Sequence, residues 1–481
     1  MHIHPIQKNI ISFLYDLSLC VLLFLSFKSS NLKLLYMKSL RLIISLLFMA
    51  MVYSCQNDDL DLNTTSDNSL GVTTKGLDSG IKIAILSDTH VMDQSLLIKD
   101  GAAFQAYLAK DPKLLEFSSE ILQAAVKKII SQKPDLVLIC GDLTKDGERI
   151  SHEEVARVLR QLTLNGIKVV ITPGNHDVNN PEAARYNKDR SFSVPTIQAD
   201  KIQSIYAHFG YKDAISRDPN SLSYVSEPIE GLRIIAIDAN KYYENTTTSI
   251  GSGVIKSTTM TWIKEQLTDA KDKGKSVIGM MHHGLVEHYQ GQQLIDPGYV
   301  IDNWTTDVNE LMNAGLKIIF TGHYHANDIT KKSNGTNFIF DVETGSTVSY
   351  PFTYRMLTIA GNNYSFAPQT ITDYMEPGFT DYANAFFSSY IQAYFRNLLI
   401  LKGVPSTPPY DFASVFSPYF GDAAKAHFAG DEVLSPSILY QYSEISAVSP
   451  DLANVWYSLW TDLGVADNTV SINMATGETT P

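Results

Sequence analysis

Five short stretches of metal-ligating residues, each directly after an apolar run, constrain this chain more than any other feature. The runs are rich in β-branched residues and end at Gly or polar residues, which is typical of buried strands. Helical patterns between them indicate βαβ units, whose functional side chains gather at the carboxyl ends of the strands. One cleft is therefore predicted to collect side chains from distant segments. The stretches are Asp88-Thr89-His90, Gly141-Asp142, Gly174-Asn175-His176-Asp177, His282-His283 and Gly322-His323-Tyr324-His325.

The residue types in these stretches match what a pair of metal ions requires. Two ions roughly 3.5–4 Å apart can clamp a phosphoryl group and generate hydroxide near neutral pH. Such a pair needs a bridging carboxylate, oxygen ligands and imidazoles. Taken singly, an Asp-x-His or a Gly-Asp is ordinary turn chemistry, and His282-His283 fits one core and one surface histidine. The two histidines of Gly322-His323-Tyr324-His325 are more informative, because alternate residues after a strand point the same way.

In order, the motifs read D-x-H, G-D, G-N-H-D, a later His and G-H-x-H, and they resemble those of the calcineurin-like metallophosphoesterase superfamily. The resemblance spans about Ile81 to Ala360. It implies an α/β fold, in which a two-sheet β-sandwich is flanked by helices, and a dinuclear-metal-dependent phosphoric ester hydrolase. The metals would be Mn, Fe or Zn, with Mn or Fe/Mn favoured for this O/N ligand set.

The resemblance also implies a role for each matching residue. The first metal would be held by Asp88, His90 and His325. The second would be held by Asn175, His282 and His323, and Asp142 would bridge the two ions. His176 would be catalytic without binding metal, facing the phosphate and the leaving group. A neighbouring carboxylate, either Asp177 or Asp142, would orient it, and His283 would lie behind the ligands.

Three further segments resemble a bacterial subgroup of cyclic-nucleotide-phosphodiesterase-like enzymes with a helical C-terminal domain. These are Gly101 to Leu115, Thr144 to His152 and Tyr211 to Tyr224. They favour a small phosphodiester as substrate, cyclic nucleotides included. A phosphomonoesterase, a nucleotidase or a sphingomyelinase-like hydrolase is the alternative, because loops around the metals select the leaving group. A non-catalytic binding protein would lack ligands, and none is missing. Residues that could shape the pocket are Tyr107, Lys145, Glu148, His152 and Tyr324, although each taken singly fits a surface or packing residue better.

Length and charge restrict the organisation and the partners. At 481 residues the chain is predicted to contain two folded units and a leader. The formal net charge of −13 argues against binding a nucleic-acid polymer, which needs a basic surface. A small phosphorylated substrate remains compatible, because bound divalent metals dominate the field locally. Oligomeric state is left open.

The first 55 residues are predicted to be a leader. Lys38 and Arg41 precede a short apolar core and then Ser54-Cys55, the pattern of a secretory signal over residues 37–55. Cys55 after a small residue resembles the lipidation site of bacterial lipoproteins, although Tyr53 is an unusual occupant there; a plain cleaved signal or an uncleaved anchor is the alternative. The expected location is the bacterial envelope, with the chain anchored to the membrane by lipid and residues 56–80 serving as a flexible tether.

The rest of the chain is predicted to divide into residues 81–366, the phosphoesterase domain, and residues 367–481, a small α-helical domain. Helical periodicity is clearest over Leu114–Gln132, His152–Leu164 and Thr258–Ala270. Tyr382–Leu401 is apolar around its whole circumference, which predicts a helix buried against other elements. Cys140 is predicted to be a small buried hydrophobic residue.

Overall fold

The structure, a computed structural model, describes residues 80–371, 375–430, 432–461, 463 and 465–481. The predicted leader, the signal, Cys55 and the tether up to residue 79 lie outside the described residues. No helix in the part of the chain that is described combines the length and apolar character needed to cross a bilayer.

Two seven-stranded sheets and one two-stranded ribbon make up the β structure of the described residues. The strands are β1 (Ile81–Leu86), β2 (Leu136–Cys140), β3 (Lys168–Thr172), β4 (Ala184–Tyr186), β5 (Ser191–Ser193), β6 (Ala214–Arg217), β7 (Tyr224–Ile229), β8 (Leu232–Ile237), β9 (Ser276–Met281), β10 (Ile318–Thr321), β11 (Ile329–Ser333), β12 (Phe338–Glu343), β13 (Thr353–Ala360), β14 (Asn363–Thr370), β15 (Val470–Asn473) and β16 (Glu478–Thr480).

The parallel strands sit in the middle of each sheet, and this arrangement positions the site. The first sheet has the order β16-β15-β14-β13-β1-β2-β3, with β1, β2 and β3 parallel. The second has the order β11-β12-β10-β9-β8-β7-β6, with β8, β9, β10 and β12 parallel. Strands buried on both faces are continuous apolar runs, as in the fully buried β2. The carboxyl ends of β1, β2, β3, β9 and β10 carry the five predicted stretches.

Helices flank the sheets and dominate the last third of the chain. They are α1 (Ala102–Leu108), α2 (Ser118–Gln132), α3 (Arg149–Leu164), α4 (Ala199–Ile205), α5 (Ser257–Asp272), α6 (Gln292–Ile295), α7 (Trp304–Ala314), α8 (Phe379–Leu401), α9 (Phe412–Ala429), α10 (Pro436–Val448) and α11 (Pro450–Ser458). The predicted two-sheet α/β sandwich with flanking and C-terminal helices is confirmed.

The predicted helices are present, with shifted ends. The first begins at Ser118 after a short 3-10 turn rather than at Leu114. The long apolar segment forms α8, which buries Phe387, Phe395 and other residues of one face in a second hydrophobic core. Cys140 is buried and unpaired within the described residues, as predicted.

The segment predicted as a helical domain also contributes β structure. Strand β14 crosses residue 367, and β15 pairs with it antiparallel after the last helix. The apolar core around α8, α9 and α11 also takes in Tyr289, Ile295, Tyr324 and Ala326 from the phosphoesterase segment. The domain boundary at residue 367 stays a prediction, but residues on both sides of it share a sheet and a core.

Candidate metal centre

The predicted ligands lie on turns with an unusual backbone conformation. Asp88, His90, Asp142, His323 and His325 all have positive φ, between 37° and 74°. Side-chain-bearing residues adopt this left-handed region at a cost, and such residues cluster where function requires them. Strands β1, β2 and β10 thus end in sharp turns that direct their next polar side chains to one place.

The first group of donors consists of Asp88, His90 and His325. The Nε2 atoms of the two imidazoles lie 3.2 Å apart. Asp88 Oδ1 lies 3.6 Å from His90 Nε2 and 3.3 Å from His325 Nε2. Donors bound to one ion at roughly 2.0–2.2 Å are expected to lie about 3–3.6 Å from each other. The spacing of this group therefore fits a single metal ion.

The second group is built around His282. Its Nε2 atom lies 3.0 Å from Asn175 Oδ1 and 3.2 Å from Asp142 Oδ2. Asp142, His282 and His323 each offer a ligand atom within 4.8 Å of the others. The histidines are oriented by backbone carbonyls: His282 Nδ1 donates to Cys140 O over 2.8 Å, and His323 Nε2 donates to Gly298 O over 3.3 Å. Metal-ligating histidines typically donate their other N–H in this way.

Asp142 connects the two groups. Its Oδ2 atom lies 3.2 Å from His282 Nε2 and 3.5 Å from His90 Nε2, while Oδ1 accepts the backbone N–H of His176 over 2.9 Å. One carboxylate oxygen is thus within reach of an ion in either group, the position that a bridging ligand needs.

Glycines permit the close approach of these turns. A Cβ atom on Gly174 would lie 2.1 Å from Asp142 Oδ1. A Cβ atom on Gly322 would lie 1.8 Å from Ser87 Oγ and 2.5 Å from Asp88 Oδ2. The glycines in the stretches therefore have a steric reason beyond turn conformation.

The electrostatics of the groups suit cations. Burial acts to raise the pKa of Asp88 and Asp142, but the surrounding histidines outweigh it and both values fall well below normal. Burial, with the positive charge of Lys113, lowers the pKa of His90 to about 3, which keeps its imidazole neutral for ligation. Burial opposes protonation of His282 as well, yet Asp142 raises its pKa to about 9. A metal would displace that proton.

The donor set fits a resident metal pair on further grounds. Asp88 Oδ1 and His90 Nδ1 are buried and have no hydrogen-bond partner among the described residues. Buried polar atoms left unpaired are costly and need a reason. Carboxylate, amide and imidazole donors are the ligands that Mn, Fe and Zn share. Asp88, His90 and His325 would hold an ion, and ligation would give Asp88 Oδ1 the partner that it lacks among the described residues.

His176 lies beside the metal ligands. Its Nδ1 atom donates to the carbonyl of Lys145 over 2.8 Å and lies 3.1 Å from Asp146 Oδ1. Its Nε2 atom lies 3.8 Å from Asp142 Oδ2. The carboxylate that orients the ring is therefore Asp146, which the sequence reasoning missed. Asp142 receives the backbone N–H instead.

Asp177, the other predicted partner of His176, holds two turns together. Its carboxylate accepts the backbone N–H groups of Leu143, Thr144 and Gly174, at 2.8–3.0 Å. Burial and the charge of Asp142 raise its pKa to about 6. The G-N-H-D turn is thereby fastened to the G-D turn, which keeps Asn175 and Asp142 together.

The residues expected to shape the pocket are buried packing residues. Lys145 is fully buried, ion-paired with Asp146 and covered by the rings of Tyr107 and Tyr186, at 4.6 and 5.4 Å from their centroids. Glu148 lies in the same group, and His152 Nε2 contacts Asp177 O. His283 donates to Gly251 O over 3.0 Å, behind the ligands as expected. Tyr324, which stands between His323 and His325 in the chain, is buried.

The fold and this site define a metal-dependent phosphoesterase. The family model for calcineurin-like phosphoesterases matches residues 81–327, about half of the chain, and the chain belongs to that family. Members of the family use a dinuclear metal centre, which is consistent with the two groups of donors described above.

Comparison with known proteins finds two similar chains. The human protein named serine/threonine-protein phosphatase CPPED1 is 23% identical over 220 residues, which cover 44% of this chain and 60% of that protein. The chain thus spans about 60% of the length of this curated relative. A crystal structure of a dimetal phosphatase from Danio rerio is 14% identical, with a TM-score of 0.42, over 60% of this chain and 96% of that one.

Proposed function

We propose that this chain hydrolyses small phosphodiesters, cyclic nucleotides among them, at a pair of transition-metal ions, with Mn or Fe/Mn favoured. The observation that supports the proposal most is that Asp142 Oδ2 faces an imidazole of each donor group. Asp142 would bridge the ions. The other ligands would be Asp88, His90 and His325 for one ion, and Asn175, His282 and His323 for the other.

The metals and the protein divide the chemistry between them. When bound, two ions supply positive charge to the phosphoryl oxygens and lower the pKa of water. The protein holds their ligands in rigid, buried turns and keeps His90 neutral. It also places His176 next to Asp142, where a substrate phosphate bound to the metal pair would lie within reach.

His176 is suited to deliver a proton to the leaving group. Because Nδ1 donates to the Lys145 carbonyl, Nε2 is the ring atom turned toward Asp142. Burial acts to lower the pKa of His176, but Asp142 and Asp146 outweigh it and raise the value. When Nε2 is protonated, it can donate its proton to an alkoxide as it departs.

Support for a diester substrate comes from the three segments that resemble the phosphodiesterase-like subgroup. A phosphomonoesterase is the second candidate, because the human relative is named as a protein phosphatase. The test is a panel of substrates offered to purified protein with added Mn²⁺: cyclic nucleotides, a bis-aryl phosphate and an aryl monophosphate. We expect faster turnover of the diesters, with at least one cyclic nucleotide accepted. Equal or faster turnover of the monophosphate would favour the phosphomonoesterase.

A further inference from the structure

One buried carboxylate next to the candidate metal centre accepts hydrogen bonds from three tyrosine hydroxyls. Asp296 follows α6 directly and is 4% exposed. Its Oδ1 accepts a hydrogen bond from Tyr394 over 2.7 Å, and its Oδ2 accepts from Tyr289 over 2.8 Å and from Tyr324 over 3.0 Å. Asp296 and these three tyrosines form the tyrosine cluster. Burying a carboxylate is costly unless it is well hydrogen-bonded, so the cluster fixes Asp296 in place.

The turn that follows Asp296 holds a predicted metal ligand. Gly298, two residues on, accepts the Nε2–H of His323 at its carbonyl, over 3.3 Å. The ring of Tyr299 packs against the same imidazole, with 4.9 Å between centroids. The hydrogen bond to Gly298 fixes which ring nitrogen of His323 is presented to a metal. The packing of Tyr299 restricts the plane of the same ring.

The tyrosine cluster also includes a residue of the Gly322-His323-Tyr324-His325 motif. Tyr324 stands between His323 and His325 in the chain, and its hydroxyl contacts both Asp296 and the hydroxyl of Tyr289, the latter over 3.0 Å. The Tyr324 ring packs against Tyr299, with 4.7 Å between centroids. The hydrogen bond from Tyr324 to Asp296 therefore restrains the backbone between His323 and His325.

Tyr394 brings a distant part of the chain into this arrangement. It belongs to α8 (Phe379–Leu401), about a hundred residues beyond Asp296. Its hydroxyl contacts the oxygen of Asp296 that the other two tyrosines do not use. The C-terminal helices are thus connected to His323 through the carboxylate of Asp296 and the turn that carries Gly298.

We propose that Asp296 and Tyr394 are positioning residues, through which the C-terminal helical segment sets the orientation of His323 and with it the affinity for the second metal ion. This inference rests on the proposed function, since it requires that His323 ligates a metal. It assigns the C-terminal helices a part in completing the metal site.

The test is Mn²⁺ binding by the full chain, followed by competition with a chelator. Tyr394→Phe removes one hydroxyl from the tyrosine cluster and keeps the ring. Tyr419→Phe is the matched control, because Tyr419 also lies in the helical segment and also donates to a carboxylate, Glu444, over 3.2 Å. Losing a partner that orients a ligand typically costs about 10–100-fold in metal affinity.

We expect Tyr394→Phe to weaken one of two Mn²⁺-binding steps by about 10–100-fold and to leave the other step unchanged, while Tyr419→Phe binds as the wild type does. Equal affinities in the wild type and Tyr394→Phe, or equal losses in both variants, would overturn the inference. If Tyr394→Phe does not fold, Asp296→Asn replaces it and should weaken the same Mn²⁺-binding step, because its NH₂ group cannot accept a hydrogen bond from a tyrosine hydroxyl.

The experiment separates this inference from the proposed function. A wild type that binds fewer than two Mn²⁺ ions and hydrolyses no phosphoester contradicts the proposed function and the inference together. A wild type that binds two ions and is active, beside a Tyr394→Phe variant with the same two affinities, contradicts the inference alone.

Discussion

The Oδ2 atom of Asp142 lies 3.2 Å from the Nε2 atom of His282, although the two residues follow strands of different sheets. Asp142 follows β2 of the first sheet and His282 follows β9 of the second. The same oxygen faces His90 at 3.5 Å. The candidate centre therefore depends on how the two sheets pack against each other.

His176 provides a test of proton delivery. His176→Ala should keep both metals and lose about 10²–10⁴-fold in kcat on diesters with poor leaving groups, the usual contribution of a general acid. Activated aryl diesters should lose much less, because their leaving group needs little protonation. Measuring kcat against aryl diesters of graded leaving-group pKa gives the slope for each variant. His208→Ala, at an exposed histidine, is the control.

A slope in His176→Ala equal to that of the wild type would mean that His176 is not the acid. A uniform loss on all substrates would indicate that the ring only supports the turn carrying Asn175.

Gly322 provides a steric test of the first donor group. In Gly322→Ala the new Cβ atom would overlap Ser87 Oγ and lie 2.5 Å from Asp88 Oδ2, so the Asp88 carboxylate must shift. We expect Mn²⁺ affinity to fall by about 10–100-fold. Gly284→Ala is the matched control, because its Cβ atom would have no neighbour closer than 3.4 Å. Unchanged metal affinity in Gly322→Ala would show that Asp88 is not held where a ligand must be.

His427 provides a test of pH-dependent stability away from the metal ligands. Its Nδ1 lies 2.9 Å from Glu432 Oε1 and 3.7 Å from Asp328 Oδ2. Burial acts to lower the pKa of His427, but these carboxylates outweigh it and raise the value above 6.5. A raised histidine pKa stabilises the fold fully below pH 6.5, and this stabilisation disappears as the pH rises through the folded-state pKa.

His427→Gln should therefore lower the free energy of unfolding most below pH 6.5, by about 3–5 kcal/mol for a broken buried pair. The difference from the wild type should shrink at higher pH. Urea unfolding of both proteins between pH 6 and pH 9 measures it. A difference that is constant, or that grows with pH, contradicts the assignment.

Cys55 is proposed as a lipidation site that ties the chain to the bacterial envelope. One acyl chain binds membranes only marginally, whereas two or more anchor stably. Cys55→Ser should move the protein from the membrane fraction to the soluble fraction in a bacterial host. Unchanged fractionation and electrophoretic mobility would contradict lipidation.

The convergence of the predicted ligands could be anticipated from the sequence because each of these residues follows its strand within four residues. Asp88 and His325 are far apart in the chain, but the end of a parallel strand determines where each lies. Local motifs could not predict Asp146 as the partner of His176, because Asp177 is adjacent to His176 in the chain and Asp142 belongs to a ligand motif, whereas Asp146 has neither signal. The tyrosine cluster joins Tyr289, Asp296 and Tyr394 over long separations, and no periodicity signals such contacts.

Elements with weak apolar patterns were also missed. Helix α10 buries only Ile438 and Ile445, too few for a clear helical stripe. Helix α9 contains Pro418, which indicates a break from sequence alone. Strands β15 and β16 are short and complete the first sheet through pairing with β14, a long-range contact.

The most direct test of the central claim is the metal content of the wild type and Asp142→Asn after loading with Mn²⁺ and desalting. Asparagine tolerates the positive φ of 47° at this position. If its amide oxygen accepts the N–H of His176, its NH₂ group faces the metal ligands. We predict two ions per chain in the wild type and loss of both in a folded Asp142→Asn. Two ions retained in Asp142→Asn would contradict a bridging role for Asp142 and the dinuclear centre built on it.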